Sequence, residues 1–148
     1  MFLRALLAFL MLPGLVAYVV PLLLAPVEDI ERSWHWLALL PTGAGTLLLL
    51  WCVREFYVSG KGTLAPWSPP VHLVTGGPYG WSRNPMYIAV STVLLGWAIW
   101  YGSPTLLAYA IAVMIAFHLR VVLGEEPWLA RAHGDEWLRY RQRVRRWL

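Results

Sequence analysis

The chain has 148 residues, of which 59% are hydrophobic, and it carries a formal net charge of +4. A chain this short holds one domain, and a mean hydropathy of +0.55 excludes an ordinary soluble globule in favour of a polytopic membrane protein. Cys52 is the single cysteine, which excludes an internal disulfide and a cysteine-built metal site.

Three charge-free runs set the architecture: 5–27, 33–53 and 84–119, of 23, 21 and 36 residues. A helix rises about 1.5 Å per residue and the hydrocarbon core is about 30 Å thick, so runs near 20 residues cross once. Drawn as one helix the third run would measure roughly 54 Å. Near its middle Gly102-Ser103-Pro104 supplies a break at which proline can start a new helix. The reading is an all-α polytopic membrane protein, a single domain over 1–148. It has four transmembrane helices at about 5–27, 33–53, 85–101 and 104–123, a cytoplasmic loop, and an amphipathic helical tail over 127–148.

In chain order, the first span carries Pro13, Gly14 and Pro21, which remove or weaken helical hydrogen bonds and predict a bent helix whose neighbours repair it. A signal peptide is the competing reading. Its apolar region ordinarily covers about 7–15 residues, less than this run, and no small-x-small cleavage pattern precedes the next charges. The second span contains Pro41 and Thr42-Gly43-Ala44-Gly45, a surface suited to close helix approach. Residues 54–84 are rich in glycine and proline, yet Leu64, Trp67, Val71, Leu73, Val74, Tyr79 and Trp81 make the segment too apolar for a solvated linker. It is expected to fold back onto the helix ends. After the fourth span, Pro127 suits a first helical turn behind Glu125 and Glu126, and Gly134-Asp135 can end one short helix and cap the next. The arginine-rich tail is expected to lie at the membrane surface.

Eleven of the twelve basic residues fall at Arg4, within 54–83, or from Arg120 onward, all on one side of a four-span bundle. The positive-inside rule then puts both termini in the cytoplasm of an integral membrane protein, expected in a bacterial inner membrane. The basic balance reads as orientation and contact with membrane lipids, with no nucleic-acid partner.

The last two spans form a hairpin, so Arg83 and Asn84 at one end converge with Glu125 and Glu126 at the other, beside Gly76-Gly77-Pro78. A helix N-terminus attracts an anion and a glutamate pair attracts a cation. Two readings stand on these residues alone: a site for an amphiphile or nucleotide, and an interfacial set of ion pairs and helix caps. His118 lies near the same boundary, whereas His35 reads as an interfacial anchor with Trp34 and Trp36. No His/Glu set has metal-ligand spacing, so no metal is expected.

The stretch Val71-His72-Leu73-Val74, Tyr79, Arg83-Asn84-Pro85-Met86-Tyr87 and Glu125, with Gly134-Asp135-Glu136-Trp137-Leu138-Arg139-Tyr140 behind it, resembles the integral-membrane methyltransferases. These include isoprenylcysteine carboxyl methyltransferase and the phospholipid N-methyltransferases, and the likeness covers roughly half the chain. It implies S-adenosyl-L-methionine as cofactor. The implied cofactor-binding residues are Val71, His72, Leu73, Val74, Tyr79, Asn84, Pro85, Met86, Tyr87 and Glu125, and Arg83, Glu126 and Arg120 are the candidate catalytic residues. Asn84 stands where the usual motif has histidine, which keeps hydrogen bonding and loses a titratable group. Val121 stands where the eukaryotic enzymes carry an arginine associated with the substrate carboxylate, with Arg120 beside it. The implied function is methyl transfer to a lipid-like or small amphiphilic acceptor. The rival is a non-catalytic membrane protein that keeps the fold for ligand sensing or assembly.

Overall fold

The computed structural model describes residues 10–25, 35–59 and 72–148. Arg4, the acidic turn at 28–32, Trp34, Lys61, Leu64, Trp67 and Val71 lie outside the described residues. Among the described residues the fold is all-helical. Helix α1 winds as a π-helix over Leu10–Val19 and continues as an α-helix over Val20–Leu24. A 3₁₀ turn at His35–Ala38 leads into α2, Leu39–Val58. Helix α3 is Pro85–Tyr101, α4 is Pro104–Arg120, and α5 is Glu126–Arg143. Two helical stretches, His35–Val58 and Pro104–Arg143, are long and apolar enough to cross a membrane, and Pro13–Leu24 and Pro85–Tyr101 are shorter apolar helices.

The hairpin break falls where the residues require it. Gly102 adopts φ 53°, a left-handed conformation that ends α3, and the Ser103 hydroxyl accepts the Leu106 N–H at 3.3 Å ahead of Pro104. Helix α2 runs past the expected end at Val53 to Val58 because a charge need not stop a helix at a surface. Arg54 points outward while Glu55 is buried, and Ser59 N–H closes the last turn on the Glu55 carbonyl at 2.9 Å. The tail departs from a continuous helix twice. Gly134, at φ 48°, kinks α5, and after Arg143 the chain becomes extended, pairing with Ser82 at Arg145.

Helix α3 lies between the others, and Ala89, Val90, Val93 and Leu94 form a core with Ala17, Leu49 and Ala110. In helical registers that close on the fourth or fifth residue back, Pro21 has no N–H to offer the carbonyls of Ala17 or Val16. The Trp97 indole N–H donates to the Ala17 carbonyl at 2.9 Å and the Tyr109 hydroxyl to the Val16 carbonyl at 3.1 Å. Neighbouring helices thus supply the donors that proline removed.

Small residues bring α2 and α3 together. A methyl added to Gly96 would stand 2.1 Å from Thr42 Oγ1 and 3.0 Å from Thr42 N, and one on Gly45 would stand 2.8 Å from the Ala89 carbonyl oxygen. Gly43 has open space beside it. Gly96→Ala is therefore expected to destabilise the protein by about 1–3 kcal/mol through overpacking. Gly43→Ala should be neutral or gain up to about 1 kcal/mol from helix propensity. Unfolding in detergent compares the two, and equal stabilities would refute the close-approach account.

Candidate functional site

Residues 72–84 fold against the end of α2. Val74 and Tyr79 are buried with Cys52, and Met86 packs against both this cluster and the core along α3. Tyr79 packs against Cys52, and burial holds the Tyr79 pKa well above its ordinary range, so this phenol keeps its proton. Gly77 turns with φ 55°, and a methyl there would lie 2.9 Å from Glu55 Cγ. Glycine allows the loop to rest on this carboxylate, which also accepts Ser59 Oγ–H at 3.0 Å. The sequence reading missed Glu55 because it took the first charges after the second run as the start of the loop.

The extended segment 144–146 clasps this loop. Arg83 N–H donates to the Arg145 carbonyl at 2.9 Å, and Asn84 Nδ2 and Ser82 Oγ donate to the Arg146 carbonyl at 2.9 and 3.2 Å. Tyr140, buried in α5, donates its hydroxyl to the Tyr79 carbonyl at 2.7 Å. Trp147 stacks on His118 with centroids 6.0 Å apart. Asn84 therefore spends its side chain on the backbone of the tail and leaves the first turn of α3 without a side-chain cap.

Beneath the clasp lies a buried charge cluster. Arg146 grips Glu126 through two hydrogen bonds of 2.9 Å. Arg83 Nη1 lies 3.0 Å from Glu126 Oε1, with the Arg83 and Glu126 side chains only 8% and 12% exposed. That approach is an ion pair without hydrogen-bond alignment: Arg83 Nε and Nη1 are buried and have no hydrogen-bond partner. The guanidinium also lies 5.4 Å from the centre of the Trp137 ring, a cation–π contact. Burial lowers the Arg83 pKa, partly offset by Glu126. Burial opposes the Glu126 carboxylate, but the Arg146 hydrogen bonds and the Arg83 charge outweigh it and set its pKa below the ordinary 4.5.

A second, open cluster stands at the mouth between α3 and α4. The Tyr87 hydroxyl donates to Glu125 Oε1, and Arg120 Nε donates to the same oxygen at 2.8 Å and to the Tyr87 oxygen at 3.1 Å. Tyr87 stacks on Phe117 at 4.3 Å. The turn Val121–Glu125 is π-helical, its hydrogen bond running from Glu126 N–H to the Val121 carbonyl. In an α-helix, residues five apart are rotated by roughly 140°. The wider π turn brings the fifth residue back beneath the first, so Arg120 meets Glu125 much as an arginine four residues earlier would in an α-helix. Val121 is fully buried, and the π turn lets its neighbour take the outward place.

The mouth thus gathers Tyr87, Glu125 and Arg120, and the clasp gathers Arg83, Asn84 and Glu126. Pro85 starts α3 between them and Tyr79 lies buried beneath. Val74 is buried and Leu73 half-buried, whereas His72 is exposed and joins neither cluster. Residues 34–136 match the family described as phospholipid methyltransferase. The chain belongs to that family. Membership implies methyl-transfer chemistry on lipid-like substrates, and with the long apolar helices it indicates a membrane location. An uncharacterized protein of Haemophilus influenzae is 35% identical over 63 residues, 43% of this chain and 100% of its own. No solved structure matches.

The two phospholipid methyltransferase clusters differ in exchangeability. Arg120 and Glu125 side chains are 58% and 34% exposed, and such a pair contributes about 0–1 kcal/mol. Breaking a buried pair such as Arg83–Glu126 costs about 3–5 kcal/mol. Because the Glu126 pKa is lowered on folding, its stabilisation is complete above the ordinary value of 4.5 and lost as pH falls through the folded value. Acid titration followed by hydrogen exchange at 144–147 should show the clasp opening below pH 4.5, a response that Glu126→Gln abolishes. Tyr140→Phe should open the same segment at neutral pH, by about 1–3 kcal/mol, through the unpaired Tyr79 carbonyl.

Proposed function

We propose that the chain is a polytopic membrane methyltransferase of four crossings. In this reading it moves a methyl group from S-adenosyl-L-methionine to a lipid-like or amphiphilic acceptor at the cytoplasmic face of a bacterial inner membrane. Support for the crossings comes from the two long apolar helices, His35–Val58 and Pro104–Arg143, and from α3, whose 17 residues at about 1.5 Å each rise about 25 Å, enough for a thin or locally adjusted bilayer. Arg83 of the loop lies against Arg145 and Arg146 of the tail at one end of the bundle, which supports a cytoplasmic loop and C-terminus.

The observation that carries the cofactor assignment is buried Arg83, whose Nε and Nη1 make no hydrogen bond although Nη1 is ion-paired with Glu126. A buried donor without an acceptor costs about 1–3 kcal/mol, and an anionic oxygen removes that penalty. The cofactor's carboxylate has the matching chemistry, and Glu125, the exposed and exchangeable carboxylate, suits its ammonium. When bound, the cofactor supplies an electrophilic methyl group on a sulfonium. The protein's part is alignment and exclusion of water, a task that requires neither metal nor covalent intermediate. Asn84, Ser82 and Tyr140 hold the loop in place, Glu126 fixes the Arg83 guanidinium, and Tyr87 orients Glu125. Arg120, at the mouth between α3 and α4, is suited to an acidic group of the acceptor.

Calorimetric titration of S-adenosylhomocysteine into detergent-purified protein tests the reading. Glu125→Gln should lower affinity by about 1.5–3 kcal/mol, ten- to hundredfold, with folding retained. Absence of binding by the unaltered protein would overturn the cofactor assignment. Binding without methyl transfer to a panel of lipid amines, thiols and carboxylates would favour a sensing or assembly role.

A further inference from the structure

Glu125 is not waiting empty for a cation. Both hydrogen bonds from Arg120 use Nε, one to Glu125 Oε1 and one to the Tyr87 oxygen, and Tyr87 donates to the same carboxylate oxygen. One oxygen therefore carries two donors, and the arginine side supplies the positive charge. The π turn maintains this arrangement by returning Glu125 to the face of Arg120. The contrast with Glu126 is sharp in exposure: its side chain is 12% exposed against 34% for Glu125, and Arg83 is 8% exposed against 58% for Arg120. One pair lies largely buried beneath the tail, whereas the other is open to solvent.

We propose that Arg120 is an internal counter-ion occupying the cation position at Glu125, so that a ligand ammonium binds by exchange and the displaced guanidinium becomes available to an anionic acceptor. This rests on the reading of Glu125 as a cofactor contact. The exchange conserves charge at the carboxylate: one cation leaves as another arrives, and Tyr87 stays bonded to the oxygen throughout. It also imposes an order. Before exchange the guanidinium is committed to Glu125, so an acidic acceptor meets a neutralised pair. Afterwards it meets a cation held on α4 beside the bound ligand. An acceptor with a phosphate or carboxylate near its methyl-accepting atom would then be selected over a neutral amphiphile, and favoured only after the cofactor is in place.

The proposal makes a counter-intuitive prediction: removing a charged residue from the mouth tightens ligand binding. Titration of S-adenosylhomocysteine into protein in phosphatidylcholine nanodiscs should give Arg120→Gln an affinity about three- to fivefold higher than the unaltered chain, as expected for loss of an exposed pair. Arg120→Lys should remain near the unaltered value, which controls for folding and packing. In Glu125→Gln the further change Arg120→Gln should have no effect, because nothing remains to compete for. Unchanged or weaker binding by Arg120→Gln overturns the exchange while leaving the cofactor site intact, whereas full affinity in Glu125→Gln overturns the underlying reading as well. Dodecyl phosphate and dodecanoate probe the second half. Saturation with S-adenosylhomocysteine should raise retention of at least one of them severalfold in the unaltered chain and not in Arg120→Gln, and no rise for either removes the acceptor role.

Discussion

The position of α3 is the constraint on which the remainder depends. It is set by backbone-to-backbone proximity: Thr42 against Gly96, and Gly45 against Ala89 and Val93, leave no room for a methyl group. Such close contact and the dispersion it allows hold the two helices together beside the apolar core. Once α3 is held there, Met86 reaches the loop cluster under Tyr79, Trp97 donates to the Ala17 carbonyl of the first helix, and Tyr87 arrives beside the end of α4.

Two adjacent glutamates, indistinguishable by composition, acquire opposite characters from this placement. Successive residues at a helix start point in different directions, so Glu126 turns inward to Arg83 and Arg146 while Glu125 turns to the mouth. A buried ion pair with two ties is rigid, and a half-exposed one is exchangeable. The division leaves Glu125, and not Glu126, open to solvent in this member of the phospholipid methyltransferase family.

Much of this was legible in the residues because it depends on short-range rules. Gly102-Ser103-Pro104 announces the hairpin break through backbone preference alone, and the structure ends α3 and starts α4 there. Gly134 likewise marks the kink in the tail. The convergence of Arg83 and Asn84 with Glu125 and Glu126 followed from hairpin geometry. What was hidden depends on long-range pairing. Nothing local reveals that Asn84 would bond to the Arg146 carbonyl, since extended pairing of 144–146 with the loop has no periodic signature, and the arginines there read as the polar face of an amphipathic helix at the membrane surface. Arg120 was seen as merely adjacent to the expected position, because a π turn adds a residue to a helix without any mark in composition.

The clasp also has a bearing on the order in which the protein is made. Its hydrogen bonds join residues 61–64 positions apart, linking Tyr79, Ser82 and Asn84 to Tyr140 and Arg146. During synthesis, α3 is complete long before its partners in the tail emerge, and contacts at such separation form late because the intervening loop must first be closed. Arg83 consequently spends that interval without its buried counter-charge. The guanidinium keeps its own hydration until α4 and α5 have followed it out of the ribosome. The guanidinium then passes from water to Glu126 only when the last segment arrives to cover it, so a chain whose last segment failed to dock would present an open, hydrated loop and no enclosed charge pair.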